Sequence, residues 1–130
     1  APEDPPGVAA TGQEIMALRG LARQMPIASH LSEYAARLVI ATHPESPGAP
    51  PLVRKFVRYG ASPRGAQALI LGAKVTALLA GRYNVAYEDI RQVAPAALRH
   101  RLLLNFEGLA EGVRPDQIIQ ELLQAVPEAG

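Results

Sequence analysis

The sequence contains no cysteine and no tryptophan, and aromatic residues make up only 5% of its 130 residues. Without cysteine, disulfide bonds, thiolate zinc sites and thiol nucleophiles are all excluded. This composition suits a reducing compartment, and we expect a cytoplasmic location. With so few aromatic rings the core must be built from Leu, Ile, Val and Ala, which favours helices packed on helices.

Long apolar runs are also lacking, since Arg, Gly or Pro interrupts every hydrophobic stretch. The sequence therefore shows neither a membrane span nor a signal peptide. A formal net charge of +1 is too small to indicate a nucleic acid or an anionic membrane as partner. The length suits a single domain with one core.

Common catalytic motifs are absent as well. There is no Gly-x-x-x-x-Gly-Lys-Ser/Thr phosphate loop, no Gly-x-Gly-x-x-Gly fingerprint and no His-Glu-x-x-His pair. The three histidines, His30, His43 and His100, lie in separate segments with no second ligand at metal-binding spacing, so we expect no metal site. We expect the chain alone to have no enzymatic activity.

The first residues, 1–10, are rich in proline and are typical of a stiff linker, so we expect the sequence to be a piece of a longer protein. Thr11 and Glu14 have the spacing of a capping box and begin a helix that ends before Pro26. Its apolar stripe comprises Ile15, Leu18, Leu21, Ala22 and Met25.

A second helix is predicted from its N-cap, Ser29, until Pro44 ends it. Residues 43–51 combine several prolines with a glycine, which predicts an exposed loop. The buried stripe of this helix comprises Leu31, Tyr34, Ala35, Leu38 and Val39 or Thr42.

Three further helical segments follow. Residues 64–80 are apolar on nearly every face, which is typical of a buried central helix, and Gly81 ends it. The next helix opens at Tyr87, and Pro95 should break or restart it, with an apolar face continuing beyond. The last begins at Pro115 and is strongly amphipathic. The apolar residues of these last two segments include Leu98, Leu102, Leu103, Leu104, Ile118, Ile119, Leu122 and Leu123.

No pair of alternating segments is convincing enough to support a sheet. The predicted fold is therefore all-α, a compact bundle of about four to six unequal helices over residues 11–127, with residues 128–130 as a tail. An up-and-down four-helix bundle is the second choice, because the linking segments are irregular.

The most informative local feature is the run Gly60-Ala61-Ser62-Pro63-Arg64-Gly65. Ser62 is a good N-cap and Pro63 suits the first helical position, so a helix should begin here. Arg64 then lies in the first turn, where a cation opposes the helix dipole. Free N–H groups beside a guanidinium could bind a phosphate. The alternative is an arginine in solvent or paired with a carboxylate.

Two basic clusters, Arg54-Lys55-Arg58 and Arg99-His100-Arg101, could extend an anion site if they share a face with Arg64. Alternatively they are solvated, or they pair with Glu88, Asp89 or Glu107. Two other functions stay open on these residues. One is a nucleic-acid-binding helical domain, although no aromatic stacking platform is evident. The other is an interaction module that docks a partner on the amphipathic last helix.

Taken together, several motifs resemble the C-terminal lid domain of MoxR-type AAA+ ATPases. The resemblance covers about Thr11 to Val126. Its motifs are residues 59–69, Gly81-Arg82, Asn84-Val85, residues 88–90, residues 98–102 and Asn105-Phe106-Glu107. It implies an AAA+ lid fold, and it implies that residues 1–10 link the lid to an N-terminal α/β ATPase domain outside the sequence.

The resemblance also implies a role for Arg64. The matching arginine in that family is the sensor 2 residue, which reaches from the lid to the γ-phosphate of ATP. The parent protein would then hydrolyse ATP with Mg²⁺, act as a chaperone-like remodelling hexamer, and work with von Willebrand factor A domain proteins. His43 departs from the family, where many members carry an arginine after the threonine. Inter-subunit roles for His43, Arg99, His100 and Arg101 stay open.

Overall fold

The computed structural model describes residues 12–129. Within them the chain forms seven helices and two short strands. The predicted linker, the Thr11 half of the capping box and Gly130 lie outside the described residues. The elements are α1 (Gly12–Gln24), α2 (Ser29–Ala41), α3 (Pro51–Phe56), β1 (Val57–Tyr59), α4 (Pro63–Leu79), α5 (Tyr87–Leu98), β2 (Leu103–Leu104), α6 (Phe106–Ala110) and α7 (Pro115–Ala125).

The all-α class is confirmed, with α4 at the centre of the bundle. This helix packs against α1, α2 and α5, and α7 closes the core against α2, α3 and α5. The lack of a side chain at Gly72 lets α4 and α5 approach closely, since a Cβ there would lie 3.3 Å from Val93 of α5. No helix of residues 12–129 is long and apolar enough to cross a membrane.

The core consists mainly of aliphatic side chains, as the shortage of aromatics predicts. All six residues predicted for the α2 stripe are buried, including Thr42, and so is the α7 stripe. Arg91 of α5 joins three helices, because it donates to the Tyr34 hydroxyl at 3.2 Å and to the carbonyl of Leu123 at 3.1 Å. Burial raises the pKa of the Tyr34 hydroxyl above its ordinary value.

The residues after α7 are held by a second arginine. Arg37 of α2 donates to the carbonyls of Pro127 at 3.1 Å and Glu128 at 2.6 Å. The start of the predicted tail therefore contacts the bundle. The boundary of the domain at residue 127 stays a prediction.

The predicted α1 stripe is buried only at its C-terminal end. Ala22 and Met25 are buried, whereas Ile15 and Leu21 are about half exposed, at 47% and 54%. Periodicity identified the apolar face, but α1 packs mainly against α4, and part of that face lines an open groove.

Other local predictions need correction. Ser29 is not the N-cap of α2 but its first helical residue. The N-cap is Ala28, whose side chain has no hydrogen-bond acceptor. The loop after α2 is not fully exposed, since Ser46 and Ala49 are buried. Arg54 explains this, because its guanidinium donates to the carbonyls of Ser46, Pro47 and Ala49 and holds the loop against α3.

The break expected at Pro95 is also wrong, because α5 continues through it to Leu98. A proline inside a helix costs about 3 kcal/mol through a lost hydrogen bond and a clash with the preceding turn. Here Ile90, Ala94 and Leu98 are fully buried on both sides of it and fix the helix in place.

A small sheet replaces the apolar helical face predicted after Leu98. Strands β1 and β2 pair antiparallel, with Val57 opposite Leu104 and Tyr59 opposite Leu103. Strands of three and two residues are too short to show an alternating pattern. Asn105 then joins α3 to α6, since its side-chain amide donates to the carbonyl of Lys55 in α3 and its side-chain oxygen accepts the N–H of Gly108.

The start of α5 is fixed by an ion pair. Arg82 contacts both carboxylate oxygens of the buried Asp89 at 2.7 and 2.9 Å, and Asp89 also accepts the N–H of Ala86 at 2.8 Å. The hydrogen bonds from Arg82 lower the pKa of Asp89 below its ordinary value. The partner of Asp89 is thus Arg82, and not an arginine of either basic cluster as the sequence analysis had allowed.

We expect Asp89→Asn to lower the free energy of unfolding by about 1–2 kcal/mol at neutral pH, because it removes the charge that Arg82 and Ala86 bond. Because the pKa of Asp89 is lower in the folded protein than its ordinary value, the stabilisation is complete at any pH above the ordinary pKa. It is lost as the pH falls through the lowered pKa. The difference between the two proteins should therefore close in acid.

Chemical denaturation at several pH values measures this difference. Glu88→Gln is the matched control, since Glu88 lies in the same helical turn but is exposed, and its loss should change stability by a few tenths of a kcal/mol. Equal stability of Asp89→Asn and the unchanged chain at pH 7 would contradict the structural role of the pair.

Candidate functional site

The start of α4 matches the prediction from the Ser-Pro-Arg order. Ser62 is extended, with φ −80° and ψ 173°, and its hydroxyl accepts the N–H of Arg64 at 3.2 Å. Pro63 occupies the first helical position. The Arg64 residue is exposed, and within residues 12–129 no acceptor or carboxylate holds its guanidinium. The first turn thus presents a free cation to solvent.

Thr42 and His43, just beyond the last residue of α2, hold the segment that leads into α4. The Thr42 hydroxyl accepts the N–H of Ala61 at 2.9 Å and donates to the carbonyl of Val39. His43 donates from Nε2 to the carbonyl of Ala61 at 2.7 Å. Both backbone groups of Ala61 are therefore bonded to one helix end, although the residues lie 18 and 19 positions apart.

Two glycines make this close packing possible. A Cβ at Gly60 would lie 2.6 Å from both the carbonyl oxygen and the hydroxyl oxygen of Thr42. A Cβ at Gly65 would lie 3.0 Å from that of Ala61 and 3.3 Å from Leu98. Only glycine at residue 60 lets the chain approach α2 closely enough for the Ala61 bonds to form.

An open groove of about 990 Å³ runs beside this turn between α1, α4 and α5. Three arginines, Arg19, Arg64 and Arg101, line it together with mostly apolar side chains. The guanidinium Nε of Arg101 donates to the carbonyl of Ala97, which leaves its other N–H groups available. The apolar lining includes Ile15, Leu18, Leu71, Val75, Leu79 and Val93. This surface combines positive charge with apolar area.

The two basic clusters do not converge on Arg64 as a whole. Arg54 is occupied by the loop carbonyls and Arg99 by Asp116, which it contacts at 3.1 Å. Arg58 lies over the ring of Tyr59, with its guanidinium carbon 5.2 Å from the centroid. From the clusters, Arg101 joins Arg64 in the lining of the groove.

The histidines have separate surroundings. His30 lies 5.5 Å from the ring of Tyr87, His43 bonds Ala61, and His100 is exposed. Within the described part of the chain, no three His, Asp or Glu side chains are close enough to hold a metal ion.

Sequence reasoning missed two parts of this site. Arg19 of α1 gave no signal, because a single arginine on a short helix is common. The bonds from Thr42 and His43 were equally invisible, since they join residues far apart in sequence. The α2 stripe included Thr42 only as an optional member. In the structure its side chain is fully buried, at 0% exposure, where its hydroxyl can bond Ala61.

Comparison with known proteins is consistent with this architecture. The AAA lid domain family matches residues 51–122. The chain is 36% identical over 114 residues to the chaperone MoxR1 of Mycobacterium tuberculosis, covering 87% of this chain and 30% of that protein. It is 43% identical over 74 residues to the protein MoxR of Methylorubrum extorquens, covering 57% of this chain and 21% of that protein.

The crystal structure of a candidate ATPase from Cytophaga hutchinsonii is similar in fold. Its TM-score is 0.80 at 34% identity, and the match covers 88% of this chain and 35% of that one. The chain therefore belongs to the AAA lid domain family, and its relatives make it a lid domain of the MoxR type. It spans roughly a third or less of the length of these proteins. The cytoplasmic location stays a prediction.

We expect Gly60→Ala to destabilise the fold by about 2–3 kcal/mol, because the new methyl group would overlap two oxygens of Thr42 and force the turn away from α2. Gly48→Ala is the matched control, since nothing lies within 4 Å of its Cβ position. Thermal unfolding of both variants measures the difference, and an unchanged midpoint for Gly60→Ala would contradict the close approach.

Proposed function

We propose that Arg64 is the sensor 2 residue of a MoxR-type AAA+ ATPase, and that it contacts the γ-phosphate of ATP bound by the parent protein's own N-terminal α/β domain. The observation that carries this proposal is the free guanidinium of Arg64 in the first turn of α4. A cation there opposes the helix dipole, and no hydrogen bond or ion pair to its guanidinium within residues 12–129 offsets this cost. A phosphate on a facing domain would supply the missing partner.

The surroundings of Arg64 fit a nucleotide better than an isolated anion. Arg19 and Arg101 add positive charge to the same groove. Its apolar walls can pack against a partner domain and exclude water from the contact. Charge-assisted bonds to phosphate strengthen when water is excluded. The groove would therefore lie at the junction with the ATPase domain.

ATP and Mg²⁺ would be held mainly by that domain. Residues 12–129 contain no cluster of acids that could bind a metal, and the sequence has no phosphate loop. ATP supplies the γ-phosphate that both domains grip. Arg64 would hold that phosphate from the lid side, and loss of the phosphate on hydrolysis would release the lid to move as a rigid body.

In this account lid movement couples hydrolysis to the geometry of a ring, through which the parent protein remodels client complexes in a chaperone-like way. We propose neighbouring subunits of a hexamer and von Willebrand factor A domain proteins as partners. These proposals rest on the resemblance to MoxR-type ATPases. The Mycobacterium tuberculosis relative is a chaperone by name, MoxR1, which supports the chaperone-like role.

The alternatives have less support. An interaction module would use the α7 stripe, but Ile118, Ile119, Leu122 and Leu123 are buried inside the domain. A nucleic-acid-binding domain would use the basic clusters, but Arg54 and Arg99 are held by carbonyls and by Asp116. A steep fall of nucleic-acid affinity with salt would revive the second alternative.

We expect Arg64→Ala in the full-length parent to reduce ATP hydrolysis, nucleotide binding or both by about 10²-fold, because it removes a preorganised charge donor from a water-poor site. Arg64→Lys should restore only part of the activity, since an ammonium lacks the planar fork that grips two phosphate oxygens. The fold should be unaffected, because alanine is a better helix former and removes an unfavourable charge.

Arg114→Ala is the matched control for this experiment. Arg114 is also an exposed arginine beside a proline at a helix start, where it is the N-cap of α7, but it does not line the groove. Its loss should leave hydrolysis unchanged. Arg82→Ala is a poor control, because Arg82 holds Asp89. Wild-type hydrolysis and nucleotide affinity in Arg64→Ala would rule out the sensor role.

A further inference from the structure

We infer that His43 is a positioning residue for Arg64, an inference that rests on the proposed contact between Arg64 and phosphate. His43 touches no nucleotide in this account. It acts on the backbone that leads into the first turn of α4, through the 2.7 Å bond from its Nε2 to the carbonyl of Ala61.

The bond from His43 controls a different peptide group from the bond made by Thr42. Thr42 holds the N–H of Ala61, which belongs to the peptide between residues 60 and 61. His43 holds the carbonyl of Ala61, which belongs to the peptide between Ala61 and Ser62. The second peptide enters the N-cap directly. Its orientation therefore decides where the cap and the first turn begin.

From that peptide onward the backbone has little freedom. Pro63 has a fixed φ, the hydroxyl of Ser62 binds the N–H of Arg64, and the N–H of Gly65 binds the carbonyl of Ser62 at 2.8 Å. Gly65 is in turn packed against Ala61 and Leu98. A rotation of the peptide that His43 holds would therefore move the Cα of Arg64.

The bond to Ala61 also fixes the tautomer of His43. Because a carbonyl can only accept, Nε2 must carry the proton that bonds Ala61. The side chain is 36% exposed, so its contribution to the hydrophobic core is small. This combination fits a residue that orients the backbone better than one that fills space.

The test uses the full-length parent and the variants His43→Ala, His43→Gln and His43→Asn, each alone and with Arg64→Ala. The Nε2 of glutamine can occupy the place of the histidine Nε2, whereas the shorter asparagine amide cannot reach Ala61. We expect His43→Ala and His43→Asn to lower ATP hydrolysis by about tenfold, in the same parameter, kcat or KM, that Arg64→Ala changes. His43→Gln should restore most of it.

The double variants separate positioning from loss of stability. If His43 acts through Arg64, its replacement should change hydrolysis little once Arg64 is alanine. Arg54→Ala is the matched control, because Arg54 also tethers a loop through backbone carbonyls but does not line the groove. Arg54→Ala should lower the melting temperature. Any effect it has on hydrolysis should be the same whether residue 64 is arginine or alanine.

Several results would overturn the inference. One is that Arg64→Ala impairs hydrolysis but His43→Ala does not. Another is that His43→Ala lowers hydrolysis by the same factor whether residue 64 is arginine or alanine. In either case His43 does not position Arg64. The same holds if glutamine and asparagine at residue 43 behave alike. If Arg64→Ala itself leaves hydrolysis and nucleotide affinity unchanged, the sensor role fails first, and the inference falls with it.

Discussion

The two hydrogen bonds that Thr42 and His43 make to the backbone of Ala61 fix where the central helix begins. They anchor the start of α4 to the end of α2, and the missing side chain at Gly60 lets the two segments approach. The bundle is arranged around α4, and one wall of the groove between α1, α4 and α5 is α4 itself. The anchor therefore holds the turn that carries Arg64 beside this groove.

Beyond this anchor, the domain is joined by contacts that resist internal motion. Arg91 bonds α2 and α7 from α5, and the Arg82–Asp89 pair fixes the start of α5 against the end of α4. Gly72 lets α5 approach α4 closely. A lid built in this way would move as one rigid body, as the proposed coupling to nucleotide state requires.

The sequence predicted what depends on local chemistry. Ser62 and Pro63 start α4 because a hydroxyl and a fixed φ act within two residues, and the α7 stripe follows helical periodicity. The bond from His43 could not be predicted, since nothing local links it to a residue 18 positions away. The predicted break at Pro95 was wrong because helix propensity takes no account of the buried residues that hold α5 in place around it. Arg64 could be singled out from its place in the helix and Arg101 as a member of a basic cluster, but Arg19 could not.

The central claim is that Arg64 contacts the γ-phosphate, the one group that distinguishes ATP from ADP. The most direct test is the dissociation constant of the full-length parent and of Arg64→Ala for a non-hydrolysable ATP analogue and for ADP, measured by calorimetry at the same salt concentration. The account predicts that the substitution weakens binding of the ATP analogue by about tenfold or more, the effect of losing a charge-assisted bond, and leaves ADP binding unchanged. Equal losses for both nucleotides would contradict it, and so would an unchanged affinity for both together with wild-type hydrolysis.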